Sequence, residues 1–99
     1  MSALYAMQRA NGDWFAQERR EGLRVPVFST NTEAMEARAF NVEMLVFRPV
    51  LLDEKALKEF GLAEDDGGAS FWLVKNGSTN MKRGEFLDFA ELARAVRGV

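Results

Sequence analysis

Three kinds of local signal place this chain in the α+β class. They predict one domain over residues 1–99, an antiparallel or mixed sheet in the order β-β-β-α-β-α-β-β-α, and helices packed on one face. Short apolar runs rich in Val, Leu and aromatic residues are bounded by polar turns and read as strands. Three segments open with the spacing of a helix cap. The Asn-Gly pairs at 11–12 and 76–77 fall beside such runs, where a type I′ hairpin turn wants positive φ at both central residues.

The first third predicts a three-stranded antiparallel meander. Ala3 to Arg9 is the opening strand, Asn11-Gly12 the turn, and Trp14-Phe15-Ala16 the returning strand. A second turn at Arg19-Arg20-Glu21-Gly22 leads into Leu23-Arg24-Val25-Pro26-Val27-Phe28, with Leu23, Val25 and Val27 on one face. Pro26 has no N–H to give to a ladder, so this strand is expected at an edge or at a bulge.

Thr30 and Glu33 have capping-box spacing and open a short helix running to about Phe40, without a clean apolar stripe. Val42 to Leu52 is the densest apolar run and predicts a buried strand around which the sheet is organised. Pro49 either ends that strand near Arg48 or turns one side of it out of the sheet. Asp53 caps the next helix, with Leu52 and Leu57 placed as a hydrophobic staple and Gly61 as its stop. Ala56, Leu57 and Phe60 form its buried stripe.

Leu62 to Ala69 predicts a solvated loop, three acids followed by two glycines. Ser70 to Lys75 reads as a buried strand, with its partner somewhere in Thr79 to Arg83 and a bend at Gly84. The last helix has both a capping box (Asp88, Glu91) and a staple (Leu87, Leu92), and Gly98 ends it.

Composition removes several function classes. The 99 residues contain no cysteine and no histidine, which excludes disulfides, Ser-His-Asp and Cys-His catalysis, and zinc sites built on Cys or His. The lack of Cys fits a reducing compartment. A net charge of -2 gives no global drive toward nucleic acid. No basic region precedes an apolar stretch at the N-terminus, and no run approaches the roughly 20 apolar residues of a membrane span. A cytoplasmic protein without membrane association is expected.

The candidate sites are few. Glu64-Asp65-Asp66 could offer oxygen ligands to a hard cation but lacks the spacing of an EF-hand, so a solvated loop is expected and no metal or cofactor is assigned. Asp13, Glu43, Asp53, Glu85 and Asp88 are available for acid–base work, yet nothing in the sequence brings two together. Arg9, Arg19, Arg20 and Arg24 could line a basic strip with Trp14 and Phe15 as stacking surfaces for single-stranded nucleic acid. Asp13, Glu18 and Glu21 dilute that field. Adjacent strand residues point to opposite faces, so one of Trp14 and Phe15 is a candidate for exposure beside arginine, the chemistry of protein interfaces.

Trp14, Val25-Pro26-Val27-Phe28-Ser29, Glu33-Ala34, Pro49-Val50-Leu51-Leu52, Phe71-Trp72-Leu73-Val74 and Glu91-Leu92-Ala93 together resemble a class of small bacterial domains of unknown function. The N-terminal half also resembles SseB-type domains, in which a strand reading P-V-F-[ST] precedes a helix carrying E-A. Every motif in the resemblance packs or caps, and none is catalytic, so it implies a fold and no site residues.

The expectation is a non-catalytic interaction or accessory module, with a protein partner or a second copy bound through Trp14, Phe15, Arg19, Arg20 and Arg24. The alternative is a small-molecule binder with an apolar pocket between sheet and helices near Trp14, Phe47 and Trp72.

Overall fold

A computed structural model describes residues 3–20, 22–65, 69–75 and 77–98. Its strands are β1 (Tyr5–Arg9), β2 (Gln17–Arg19), β3 (Gly22–Phe28), β4 (Phe47–Leu51), β5 (Ala69–Val74) and β6 (Gly84–Leu87). Its helices are α1 (Asn31–Phe40), α2 (Glu54–Asp65) and α3 (Phe89–Arg97), and a 3-10 turn spans Val42–Met44. The order of strands and helices follows the sequence reading. The sheet is mixed: β4-β1-β3-β5-β6, with β2 also on β3. Only the β3–β5 pairing is parallel, which requires the long crossover through α1, β4 and α2.

β3 is the strand at the centre. Val25, Pro26, Val27 and Phe28 are all buried, and unbroken burial along a strand means cover on both faces. The cores confirm this. Ala6, Val25, Val27 and Phe71 face α2 and α3, where Leu57, Phe60, Leu92 and Ala93 cover them. Met7, Phe28 and Val74 face the other way, onto Ala34 and Ala37 of α1 and onto Met44. The single helical layer expected from sequence is therefore corrected to one layer on each side. The physical reason lies in the alternation: both residue parities of β3 and β5 are apolar, so both faces must be sealed from water.

The meander is corrected as well. β1 and β3 pair directly and antiparallel, Tyr5 with Phe28 and Ala6 with Val27, while Gln17 pairs with Arg24 further along the same edge of β3. From Ala6 to Gln17 the chain advances eleven residues while β3 recedes three, so eight residues loop out. β1 and β2 are thus two pieces of one interrupted strand. Pro26 explains the break. Continuing the β1 register would set Pro26 opposite Met7, where a ladder needs an N–H that proline lacks. The excursion supplies one: the Phe15 N–H donates to the Met7 carbonyl at 2.8 Å. Trp14 makes only an isolated bridge to Gln8.

Val42 to Leu52 is not a buried strand. Its first part is the 3-10 turn, and β4 is an edge strand on β1. Pro49 sits where an edge tolerates it. The Leu52 N–H donates to the Leu4 carbonyl, so the even-numbered residues of β4 face β1 and Pro49 faces outward.

The helix starts follow the caps. Thr30 accepts from the Glu33 N–H, Asp53 from Ala56, and Asp88 and Glu91 complete a reciprocal box. Gly61 does not stop α2, which runs on to Asp65; it lies against Phe89 of α3 instead. The partner of β5 is Gly84–Leu87 rather than Thr79 to Arg83. The residues between fold back, with the buried Met81 at φ 61 and its carbonyl held by the Trp72 indole N–H at 3.0 Å. Asn76 and residues 66–68 lie outside the described residues.

Candidate functional site

The residues expected to share an interaction surface are dispersed. Phe15 is buried and meets Phe47 edge-on at 5.2 Å, which removes it as an exposed contact. Trp14 is half-buried on the opposite face of the sheet, tilted against Phe60 at 4.9 Å, with its indole N–H buried and unpartnered among the described residues. Arg19 and Arg20 are exposed at the β2–β3 turn, where Arg19 donates to Gln17. Arg24 lies across the sheet on Trp72.

Arg9 is held by Asp13 at 2.9 Å and rests near the Phe47 ring. The four arginines form no strip. Asp13 is spoken for by this pairing: hydrogen bonds from Arg9 and Asn11 hold its carboxyl below the usual range. Asp53 and Asp88 are caps, and Glu43 and Glu85 are exposed on separate elements. Among the described residues no three acidic side chains gather as a metal site.

The apolar pocket proposed near Trp14, Phe47 and Trp72 is not formed by those residues. Trp14 packs with the α2–α3 core, whereas Phe47 and Trp72 pack with the α1 core. The sheet lies between them.

Two exposed surfaces stand out in the fold. The first is the corner after α1. Asn41 ends the helix by donating to the Ala37 carbonyl and reaches the Thr79 carbonyl, both at 2.8 Å. The fully buried Met44 then anchors the turn, and Arg38 donates to the Leu45 and Phe47 carbonyls at 2.6 and 2.8 Å. Those bonds fix the backbone and leave its apolar side chains outside. Phe40 is 62% exposed, Val42 75%, Leu45 47% and Val46 67%. The density of the run from Val42 to Leu52 places Val42, Leu45 and Val46 in a buried strand by sequence, whereas Phe40 ends a helix without a clean apolar stripe. A usable signal was present: Asn41 precedes the run, Glu43 interrupts it, and no alternation marks a strand before Phe47.

The second surface is a row across β3, β5 and β6 on the same face of the sheet as α1, toward the β6 edge. The Arg24 guanidinium lies 4.5 Å from the Trp72 ring and 5.8 Å from Phe86, and the two rings meet edge-on at 6.5 Å. Phe86 is half exposed. Trp72 rests over Gly84, where a Cβ would stand 2.7 Å from the indole nitrogen. Gly84 was read only as a bend. Its role as a seat for an aromatic ring depends on cross-strand register, which the sequence does not display.

No family model matches the chain, and no curated protein matches it. Among the described residues no helix is long and apolar enough to cross a membrane.

Proposed function

We propose that the chain is a non-catalytic, cytoplasmic protein-interaction module that self-associates through the corner formed by Phe40, Val42, Leu45 and Val46. The observation that carries this reading is the exposure of four large apolar side chains between Phe40 and Val46 on a backbone held by Arg38 and Met44. Four large apolar side chains exposed within seven residues are the kind of surface that interaction sites use. Its border carries both signs, Glu43 and Arg48, so a two-fold contact can set one against the other. The absence of His and Cys and the scattering of acidic side chains among the described residues support a role without catalysis.

Size-exclusion chromatography with light scattering tests this on wild type and on a Val42→Glu/Val46→Glu double variant. A concentration-dependent dimer is expected for wild type, and a monomer of unchanged circular dichroism and melting temperature for the variant. Trp14→Ala serves as the contrast, losing stability while the oligomeric state stays the same. A wild type that is monomeric at every concentration reached, or a variant that still dimerises, removes the reading.

A further inference from the structure

The two edges of the sheet are treated differently by the fold. The edge of β4 is blunted: its outward-facing residues are Phe47, Pro49 and Leu51, Arg38 occupies the Phe47 carbonyl, and Pro49 has no N–H. The β6 edge has no such protection. The Lys75 N–H donates to the Arg83 carbonyl, so Glu85 and Leu87 bond toward β5 and the backbone groups of Gly84 and Phe86 face away from it. Among the described residues neither helix nor loop bonds to those groups.

Charge makes this edge selective. Arg24 has no carboxylate partner among the described residues, its Nε is buried without a hydrogen bond, and its guanidinium extends over Trp72 toward Phe86. Lys82 and Arg83 are exposed immediately before the strand. The acid of β6, Glu85, pairs with Leu73 and so projects to the opposite face, beside Leu87.

We propose that the outward edge of β6 is a docking site for an extended peptide segment with acidic side chains, which adds to the sheet as a further strand and presents a carboxylate to Arg24. Backbone bonds to Gly84 and Phe86 supply the docking, and the stacked guanidinium supplies the selectivity, since a planar fork matches a carboxylate. Alternate residues of such a strand meet Arg24 and Phe86 on one face and Leu87 on the other. The site uses none of the residues of the self-association corner, which leads into β4 at the other edge of the sheet.

Fluorescein-labelled octapeptides of alternating Val and Glu, and of alternating Val and Lys, are the probes, read by fluorescence polarisation and by amide chemical shifts. The Val-Glu peptide is expected to bind with a Kd below about 1 mM, at least roughly tenfold more tightly than the Val-Lys peptide. Its shifts should centre on Gly84 to Leu87. Arg24→Gln, shown to be folded by circular dichroism, should remove the preference for Glu. Methylating alternate backbone nitrogens of the peptide should abolish binding to the wild-type protein, a readout that needs no variant to fold. No binding, equal binding of the two peptides, full binding of the methylated peptide, shifts centred on Phe40 to Val46, or a thymidine oligonucleotide outcompeting the peptide at Phe86 would each overturn the proposal.

Discussion

Gly84 shows how much a single position can carry when an aromatic ring lies over it. A Cβ there would stand 2.5 Å from the Leu73 carbonyl oxygen and 2.8 Å from a ring carbon of Trp72. The carbonyl belongs to the backbone of β5 and the ring is held by its indole bond to the Met81 carbonyl, so neither retreats freely. Gly84→Ala is expected to destabilise the fold by roughly 2–3 kcal/mol, an overpacking cost measurable by urea denaturation. A change within about 0.5 kcal/mol, the range of an ordinary surface substitution, would mean that Trp72 is not seated there. Residues of this kind are legible in a sequence only as turn formers. Thr30, Asp53, Asp88 and Glu91 are different, because a cap is a contact between residues three apart and is written locally.

At the scale of elements, proline was the most informative residue and the hardest to place. Pro26 lies in the central strand, where an edge or a bulge was expected, and the chain accommodates it by looping out eight residues and borrowing the Phe15 N–H. No local pattern announces that substitution, since donor and acceptor come from elements that meet only in the folded sheet. Pro49 acts more simply, and together with Arg38 it blunts β4. Arg38→Ala removes two charge-assisted bonds and is expected to cost about 2 kcal/mol. It should also raise the tendency to aggregate, because the Phe47 carbonyl returns to the edge. Urea denaturation and dynamic light scattering on the variant check the two effects separately. Unchanged stability together with unchanged light scattering would show that Arg38 neither pins the corner nor guards the strand.

For the whole molecule, the order of strands and helices was readable because each begins and ends on local signals. The two-sided core was not. Its cause is the apolar character of both parities in Val25–Phe28 and Phe71–Val74, which a single-layer reading overlooks. Composition also sets the global response to pH. With no His or Cys, no side chain has an ordinary pKa between about 5 and 8, so the melting temperature should be flat across that range. Below it, Glu54 becomes the informative group. Hydrogen bonds from Arg97 at 2.7 and 3.0 Å hold its carboxyl below the usual carboxylate value and join α2 to α3. A depressed carboxyl stabilises the fold above its unfolded pKa, and that contribution is lost as the pH falls through the folded one. Glu54→Gln should therefore show a shallower loss of melting temperature below about pH 4.5 than wild type. Coincident acid profiles would deny the pair any role.

The placement of the two tryptophans gives this protein a pair of internal fluorophores, one in each half of its interior. Trp14 reports from the α2–α3 side and Trp72 from the α1 side, next to a stacked guanidinium. With one of them replaced by Phe, emission follows the melting of a single half. Comparing the two single-tryptophan proteins then reads directly whether the halves of the core come apart as one cooperative unit or in sequence.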